Sequence, residues 1–353
     1  MAGCGQRPPR RLGRAMAEER TITLAHGGGG RQSRELVVEH FLNLGKKTDP
    51  RDLDDAAVLE APAGRLAFTT DSFVVTPRFF PGGNIGKLAV FGTVNDLAAM
   101  GARPVALSVG LVIEEGLAAS EVARVAEAVA QACAEAGVAV VTGDTKVVER
   151  GAADGLFINT SGIGAVHPKA RLSGRNARPG DVVIVSGPVG DHGIAIMAAR
   201  NELAGLSGLS SDSAPLTELA FALLDAAGEA VHVLRDPTRG GLAAALNEIA
   251  LQAEVAIALD EDAIPVSEAT RGACELLGLD PLYLACEGRL VACVAQRAAE
   301  RALEALRALA LGAQARAIGE VLEGPAGLVS LRTALGVERV LDMPSGEHLP
   351  RIC

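Results

Sequence analysis

Residues 120–148 read SEVARVAEAVAQACAEAGVAVVTGDTKVV, and this stretch decides the fold class. Its first part repeats apolar residues at helical spacing, which predicts an amphipathic helix with Ser120 as N-cap and Gly137 just beyond the C-terminal end. The β-rich run 138–142 follows, so we expect a strand that ends at Gly143-Asp144-Thr145-Lys146. A helix that leads into a strand, between further apolar and glycine-rich segments, indicates an α/β or α+β fold. Further strands are predicted at Leu66 to Thr70, Val105 to Ile113, Leu156 to Gly162, Asp181 to Ser186 and Leu290 to Val294.

The length of 353 residues favours two domains, at roughly 150 residues for each. A turn-rich, charged stretch over 168–180 is the best boundary, and we place the cut near residue 170. The expected organisation is an arginine-rich extension or mis-assigned start over 1–20, an N-terminal domain over 21–168 and a C-terminal domain over 169–335. Residues 336–353, of which 342–353 contain two prolines and a glycine, are expected to form a mobile, extended tail.

Composition excludes several classes of protein. The net charge of −10, the absence of Trp and the single Tyr argue against a nucleic-acid binder. The longest apolar stretch, Val105 to Ile113, is much shorter than the roughly 18 residues of a membrane-spanning helix. The cysteines form no CxxC pair, which fits a reducing, cytoplasmic compartment better than a disulfide scaffold or a zinc site. They are Cys4, Cys133, Cys274, Cys286, Cys293 and Cys353.

Aspartates recur in short polar motifs that we expect at strand ends. The motifs are Thr69-Thr-Asp71-Ser72, Val94-Asn-Asp96-Leu97, Thr142-Gly-Asp144-Thr145 and the pair Asp54-Asp55. Carboxylates that converge in this way suit magnesium shared with a nucleotide, because magnesium takes oxygen ligands and usually only one or two protein carboxylates. Turn capping is the alternative for any one of them. Asp96 has apolar helical neighbours, so it must be exposed, paired or a ligand.

Lys146 and the glycine-rich loops are further candidates. Arginine outnumbers lysine by 28 to 5, so a retained lysine two residues after Asp144 suggests phosphate contact or proton transfer, with a solvated surface lysine as the alternative. Glycine-rich loops begin at His26, Pro81, Ser186 and Asp236, and such loops let backbone amides approach phosphates. No loop is a Walker A motif. His26 and His192 lie within these loops and are candidates for phosphate contact or proton transfer.

The chain ends in Cys353. An exposed thiol on a proline-containing arm is a liability that needs a reason. Ten residues beyond Met343 span up to about 33 Å, which is enough to enter a cleft elsewhere on the molecule. The neighbouring α-carboxylate disfavours the thiolate, so we interpret Cys353 as a carrier that another enzyme modifies. An accidental C-terminus is the alternative.

Together these motifs resemble the HypE family of hydrogenase-maturation proteins, from about residue 22 to the end. The resemblance rests on Thr69-Thr-Asp-Ser72, Phe80-Pro-Gly-Gly-Asn-Ile-Gly86, Val141-Thr-Gly-Asp-Thr-Lys-Val147, Gly190-Asp-His-Gly193, Arg235-Asp-Pro-Thr-Arg-Gly-Gly241 and Pro350-Arg-Ile-Cys353. This family lies in the aminoimidazole ribonucleotide synthetase (PurM-like) superfamily of ATP-using enzymes. The resemblance implies two α/β domains, with N-terminal sheets that pair across a homodimer.

The activity implied by the resemblance is the ATP-dependent dehydration of an S-carbamoyl group on Cys353 to a thiocyanate, the source of the cyanide ligand of iron in [NiFe] hydrogenase. The carbamoyltransferase HypF loads the cysteine, and the HypC–HypD complex receives the cyanide. The implied magnesium ligands are Asp54, Asp55, Asp71, Asp96 and Asp144. The implied ATP site holds His26, Gly28, Asp71, Asp96, Asp144, Asp236 and Arg239. Lys146 and Glu287 are the implied acid/base groups, although spacing alone leaves Glu287 open as a solvated turn carboxylate.

Other functions remain open on the sequence. Aminoimidazole ribonucleotide synthetase and thiamine monophosphate kinase use a similar ATP site but need no cysteine arm. Selenophosphate synthetase needs a reactive cysteine or selenocysteine near the first glycine loop, and none lies beside His26. A nucleotide-binding scaffold with a docking tail is the alternative from another class. Replacing Cys353 with Ala separates the two, because only a carrier thiol depends on the sulfur.

Overall fold

The computed structural model describes residues 20–28, 30–44, 56–200 and 208–343. The helices of these ranges are α1 Arg31–Leu36, α2 Ile85–Ala99, α3 Ala119–Ala136, α4 Asp191–Arg200, α5 Thr217–Ala227, α6 Gly241–Ala253, α7 Glu268–Leu277 and α8 Ala299–Arg307. The strands are β1 Leu66–Phe73, β2 Phe79–Phe80, β3 Gly83–Asn84, β4 Ala102–Glu114, β5 Val140–Val148, β6 Leu156–Val166, β7 Asp181–Val185, β8 Val231–Arg235, β9 Ala256–Asp260, β10 Val291–Ala295, β11 Arg316–Leu322, β12 Val329–Arg332 and β13 Glu338–Val340. The predicted mixture of helices and strands is confirmed.

The N-terminal half contains a four-stranded sheet in the order β1-β6-β4-β5. Strands β4 and β5 run parallel, and the other neighbours are antiparallel. Helices α2 and α3 pack together in the hydrophobic core that covers one face. The opposite face carries exposed apolar side chains, including Phe68 at 71% exposure and Leu66 at 52%. Within the described residues, the edges β1 and β5 have no further strand partner.

Helix α2 lies between the two halves of the molecule. It begins at Asn84, whose side chain accepts a hydrogen bond from the Lys87 amide at 2.9 Å and so caps the first turn. Almost all of its residues are buried, because it contacts strands β1, β4 and β6 of the first sheet, helix α3, and helix α5 and strand β8 of the second half. A helix that is apolar on all sides is typical of an element enclosed by protein.

The C-terminal half contains a seven-stranded sheet in the order β13-β12-β9-β11-β7-β10-β8. Strand β7 is buried throughout. Val183 and Val185 pack in a core with α6, whereas Val182 and Ile184 pack in a second core with α5 and α8. This alternation gives a sheet with helices on both faces. Over the described ranges no helix is both long and apolar enough to cross a membrane.

Three sequence predictions need correction. Helix α3 has Ala118 as N-cap rather than Ser120, although Gly137 does end it in the left-handed conformation, with φ of 66°. Strand β5 does not end at the predicted position but continues to Val148. A Cβ at residue 143 would lie 2.5 Å from the Val109 carbonyl oxygen, so only glycine lets the two strands pair there. Residues 338–340 form β13 and Leu341 is fully buried, so the prediction that a mobile tail begins at residue 336 is wrong.

Candidate functional site

The first group of predicted site residues lies where β1 meets α2. Asp71 is inside β1, half-buried, and its Oδ1 accepts the Ser72 amide at 2.7 Å. Asp96 is inside α2, and its Oδ2 accepts a hydrogen bond from Thr69 Oγ1 at 2.7 Å. Neither carboxylate stands at a strand end, so that expectation is wrong. Asp96 is paired, as one of its three predicted alternatives required.

The close approach of β1 to α2 depends on a glycine. A Cβ at Gly92 would lie 2.7 Å from Cζ of the buried Phe73 ring and 3.8 Å from Asp71 Oδ2. Burial raises the pKa of Asp96; the Thr69 hydrogen bond opposes this effect, and the nearby Asp71 charge adds to it. The two carboxylates therefore repel each other in a partly buried place.

The C-terminal half contributes Asp236 and Arg239 from the loop between β8 and α6. The Cys286 amide donates to the Pro237 carbonyl at 3.0 Å, which joins this loop to the segment that carries Glu287. Burial and then the Asp96 charge raise the pKa of Asp236 to about 7. Arg239 is exposed, and its charge lowers the pKa of Asp96.

Glu287 is buried, with 2% exposure, and its Oε1 has no hydrogen-bond partner among the described residues. Burial raises its pKa well above the ordinary value, and the charges of Asp236, Asp212 and Asp71 raise it further. Glu287 is therefore not the solvated turn carboxylate that spacing left open. We call Asp71, Asp96, Asp236, Arg239 and Glu287 the cleft cluster.

A cavity of about 360 Å³ lies between the two halves beside this cluster. It is lined by Thr69 and Asp96 from the first half and by Ser173, Arg235 and Asp236 from the second. A cavity between two domains that is lined by half-buried carboxylates with raised pKa values is a usual place for catalysis.

The second group of predicted site residues lies on β5. Lys146 Nζ lies 2.6 Å and 2.8 Å from the two Asp144 oxygens, and both side chains are exposed. The Lys146 hydrogen bond lowers the pKa of Asp144. His26 Nδ1 accepts the Thr23 amide at 3.1 Å, and at Gly27 a Cβ would stand 2.6 Å from the Val147 amide nitrogen. This tight contact fixes the His26 loop on β5.

His26, Asp144 and Lys146 form what we call the edge cluster. They line a cavity of about 490 Å³ whose floor is apolar, with Phe41 and Leu111 among its lining residues. Gly28 lies at the surface beside Arg31, in the turn after His26. The edge cluster combines an apolar recess, which Arg34 also lines, with the Lys146 ammonium, the Asp144 carboxylate and a glycine-rich turn, and this combination suits a nucleoside phosphate.

Within a single chain the two clusters lie apart. Across the sheet, Asp71 pairs with Thr160, Thr160 with Val109 and Val109 with Gly143. Three strand spacings separate Asp71 from the edge cluster, which amounts to about 14 Å. Throughout the described part of the chain, no three or more His, Cys, Asp or Glu side chains are grouped closely enough to hold a metal ion. Of the five predicted magnesium ligands, the described residues include Asp71, Asp96 and Asp144, and Asp144 lies on the opposite edge of the sheet from the other two.

Three predicted site residues, Asp54, Asp55 and Cys353, lie outside the described residues. His192 is buried, and its Nδ1 lies 2.8 Å from Ser211 Oγ. Sequence reasoning missed Asn95 and Asp212, which hold the backbone of Glu287. Asn95 sits beside Asp96 in a quoted motif, whereas Asp212 stands in a serine-rich loop with no motif to mark it.

Comparison with known proteins agrees with this architecture. Residues 53–166 match the N-terminal domain of AIR synthase related proteins, and residues 178–331 match their C-terminal domain. The carbamoyl dehydratase HypE of Rhodobacter capsulatus is 50% identical over 342 residues, which cover 96% of this chain and 100% of that protein.

Two solved structures extend the comparison. A crystal structure of the hydrogenase-maturation protein HypE in complex with ATP has a TM-score of 0.90 and 47% identity, covering 94% of this chain and 100% of that one. A crystal structure of a HypE–HypF complex has a TM-score of 0.77 and 45% identity, covering 89% of this chain and 100% of that one.

Proposed function

The chain belongs to the AIR synthase related proteins and, within them, to the HypE carbamoyl dehydratases, and from this premise we propose that it dehydrates an S-carbamoyl group on its own Cys353 to a thiocyanate at the expense of ATP. The single observation that carries the proposal is the buried carboxylate of Glu287, with Oε1 unpartnered among the described residues, in the cleft cluster. The thiocyanate would supply the cyanide ligand of iron in [NiFe] hydrogenase.

The reaction needs two proton acceptors and one activated oxygen. The carbamoyl oxygen attacks the γ-phosphorus of ATP, ADP leaves, and nitrogen loses its first proton. Nitrogen then loses its second proton, the C–O bond breaks, phosphate leaves and the C≡N bond forms. A raised pKa makes the ionised Glu287 carboxylate a strong base for a nitrogen proton. Lys146 is suited to the phosphate, because its ammonium is a compact charge that can donate a proton.

The cleft cluster fits magnesium by the chemistry of its donors. Asp71 raises the pKa of Asp96, and both raise the pKa of Asp236, so the three carboxylates repel one another. A hard cation relieves that repulsion and takes its remaining oxygen ligands from phosphates and water. Asp71 and Asp96, together with Asp144 and the predicted Asp54 and Asp55, are the proposed magnesium ligands. The ion would neutralise charge on the transferred phosphoryl group.

The ATP site is proposed to include both clusters. The apolar cavity of the edge cluster is suited to the adenosine part, and the His26 and Gly28 turn to the phosphates. Asp236 and Arg239 line the approach from the C-terminal half. The related HypE that was solved with ATP supports this choice of nucleotide.

A homodimer would complete the site. The edges β1 and β5 are free of strand partners within the described residues, and the apolar face with Phe68 and Leu66 is exposed. When the sheets of two copies pair, the cleft cluster of one copy can meet the edge cluster of the other. The two clusters would then form one active site from two subunits.

Mixed dimers test this arrangement. Lys146→Ala and Glu287→Gln should each be inactive alone. After random reassortment, half of the dimers are mixed and each mixed dimer holds one intact site, so about one quarter of the wild-type rate should return. No recovery would refute a site shared between subunits.

The partners are proposed from the family. HypF would load Cys353 with the carbamoyl group, as the solved complex of a related HypE with HypF supports. A HypC–HypD complex would accept the cyanide. We also propose a cytoplasmic location, because Cys133, Cys274, Cys286 and Cys293 are free.

The mass of the C-terminal peptide tests the function directly. After incubation with the carbamoyltransferase, carbamoyl phosphate and ATP-magnesium, Cys353 should gain one carbamoyl group. Because the loading mixture already contains ATP, the wild-type peptide should then lose one water, whereas the Glu287→Gln peptide should keep the carbamoyl group. Cys353→Ser, which keeps the arm and removes the sulfur, is the matched control. An unmodified Cys353 in the presence of active HypF would refute the carrier thiol.

A further inference from the structure

The backbone of Glu287 is held at both ends by side chains from other parts of the chain. Its N–H donates to Asp212 Oδ1 at 3.0 Å, and its carbonyl oxygen accepts from Asn95 Nδ2 at 3.1 Å. Asp212 belongs to the loop before α5, and Asn95 belongs to α2. We infer that Asn95 and Asp212 are positioning residues that fix Glu287 against the reacting group.

Asn95 couples the two halves of the molecule. Its Nδ2 also donates to the Ala214 carbonyl at 3.1 Å, and its Oδ1 accepts the Leu216 amide at 2.9 Å. A buried amide is costly unless its polar atoms are paired, and both side-chain polar atoms of Asn95 form hydrogen bonds to the second half. Asp96 is its neighbour on the same helical turn. Helix α2 therefore sets Asp96 and Glu287 relative to each other.

Asp212 holds the segment from the other side. Its Oδ2 lies 3.6 Å from Arg289 Nε, two residues beyond Glu287. At Gly288 a Cβ would stand only 1.8 Å from the Asp212 carbonyl oxygen, so the two segments cross in direct contact. Any displacement of the Asp212 loop must move Glu287.

The contacts made by Asn95 and Asp212 matter most for the chemical step. The Glu287 carboxylate has no hydrogen bond through Oε1 to hold it within the described residues, so its place depends on its backbone. A catalytic group displaced by about 1 Å can lose about 100-fold in rate. Loss of these contacts should lower kcat and spare ATP binding. This inference rests on the proposed role of Glu287 as the base.

The test uses the full chain, loaded with carbamoyl and mixed with ATP-magnesium in a single turnover. Asp212→Ala and Asn95→Ala should each form nitrile about 10- to 100-fold more slowly, with the ATP dissociation constant unchanged. Asp212→Asn keeps an oxygen acceptor for the Glu287 amide, so it should recover most of the rate.

Two controls separate positioning from general destabilisation. Ser213→Ala alters the same loop at a buried hydroxyl that has no hydrogen-bond partner in the described structure. Thr93→Val removes a buried hydrogen bond of the same helix α2. This bond joins Thr93 to Thr160 and does not involve Glu287. Both controls should keep the wild-type rate.

The outcomes are distinct. Inactive Glu287→Gln together with normal Asp212→Ala and Asn95→Ala would overturn the positioning inference alone. A normal rate for Glu287→Gln would overturn the proposed base and this inference with it. If an alanine variant fails to fold, Asp212→Asn still tests the inference. A rate for Asp212→Asn as low as the rate for Glu287→Gln would contradict the proposed role of the Asp212 oxygen.

Discussion

Replacement of Asp236 by Asn should stabilise the protein above neutral pH while it impairs the enzyme. The pKa of Asp236 rises from 3.8 to about 7 on folding. Between these values the folded chain keeps a proton that the unfolded chain has released. The free energy of unfolding therefore falls as pH rises through this window and is flat above it. Asn carries no charge and escapes this cost.

The magnitude follows from the two pKa values. Three pKa units at about 1.4 kcal/mol each give a cost of about 4 kcal/mol at pH 8. Asp236 is half-buried, so water screens part of this cost, and we expect about 2 kcal/mol. At about 2–4 °C for each kcal/mol, Asp236→Asn should raise Tm by about 4–8 °C at pH 8.

The assay is thermal unfolding from pH 4.5 to pH 8, in EDTA and without nucleotide, because a bound cation would lower the pKa of Asp236. The Tm difference should grow between pH 4.5 and about pH 7. Asp262→Asn, at an exposed aspartate of the same half, is the control and should show no such growth. A Tm difference independent of pH, or largest at pH 4.5, would refute the reasoning.

Three further substitutions have definite outcomes. Glu287→Gln should raise Tm at pH 8, because it replaces a buried carboxyl whose pKa is raised on folding, and should abolish nitrile formation; an unchanged Tm would contradict the burial argument. Phe68→Glu should convert the proposed dimer to a monomer in light scattering, whereas Leu276→Glu, at a similarly exposed position on α7, should not. A Phe68→Glu variant that remains dimeric would exclude this face as the interface. Gly143→Ala should lower the free energy of unfolding by about 1–3 kcal/mol, because the new Cβ would clash with the Val109 carbonyl. Gly272→Ala, whose Cβ would have no neighbour within 4 Å, should raise it by up to about 1 kcal/mol. Equal effects of the two substitutions in urea unfolding would refute the clash.

The sequence predicted helices and strands well where periodicity was long, as in α3 and β4. It misplaced the end of β5, because the run Thr142-Gly-Asp-Thr-Lys146 has the composition of a turn. What keeps this run extended is the pairing with β4 and the room at Gly143, which only the folded sheet reveals. The predicted start of the tail failed for a similar reason: Leu341 is buried in a core that it shares with α6, whose residues lie far away in the sequence.

The candidate site was predictable by residue type and unpredictable by arrangement. The short motifs identified Asp71, Asp96 and Asp144 as candidates. The spacing of these motifs in the sequence could not predict that Asp71 and Asp144 lie on opposite edges of one sheet. The division into a cleft cluster and an edge cluster follows from the strand order β1-β6-β4-β5. Asp212 gave no signal, because its role is a contact with one backbone amide far away in the chain.

Helix α2 is almost wholly buried, yet it presents residues of the proposed site to both halves of the molecule. Gly92 and Asp96 are four residues apart and lie on the same helix face, toward β1, whereas Asn95 is turned by about 100° from Asp96. Gly92 admits Phe73, Asp96 pairs with Thr69 of β1, and Asn95 binds the second half. Packing on every side leaves the helix no freedom to rotate, so one rigid element sets the distance between the carboxylates of both halves. A substitution that lets α2 rotate should therefore lower kcat more than it weakens ATP binding.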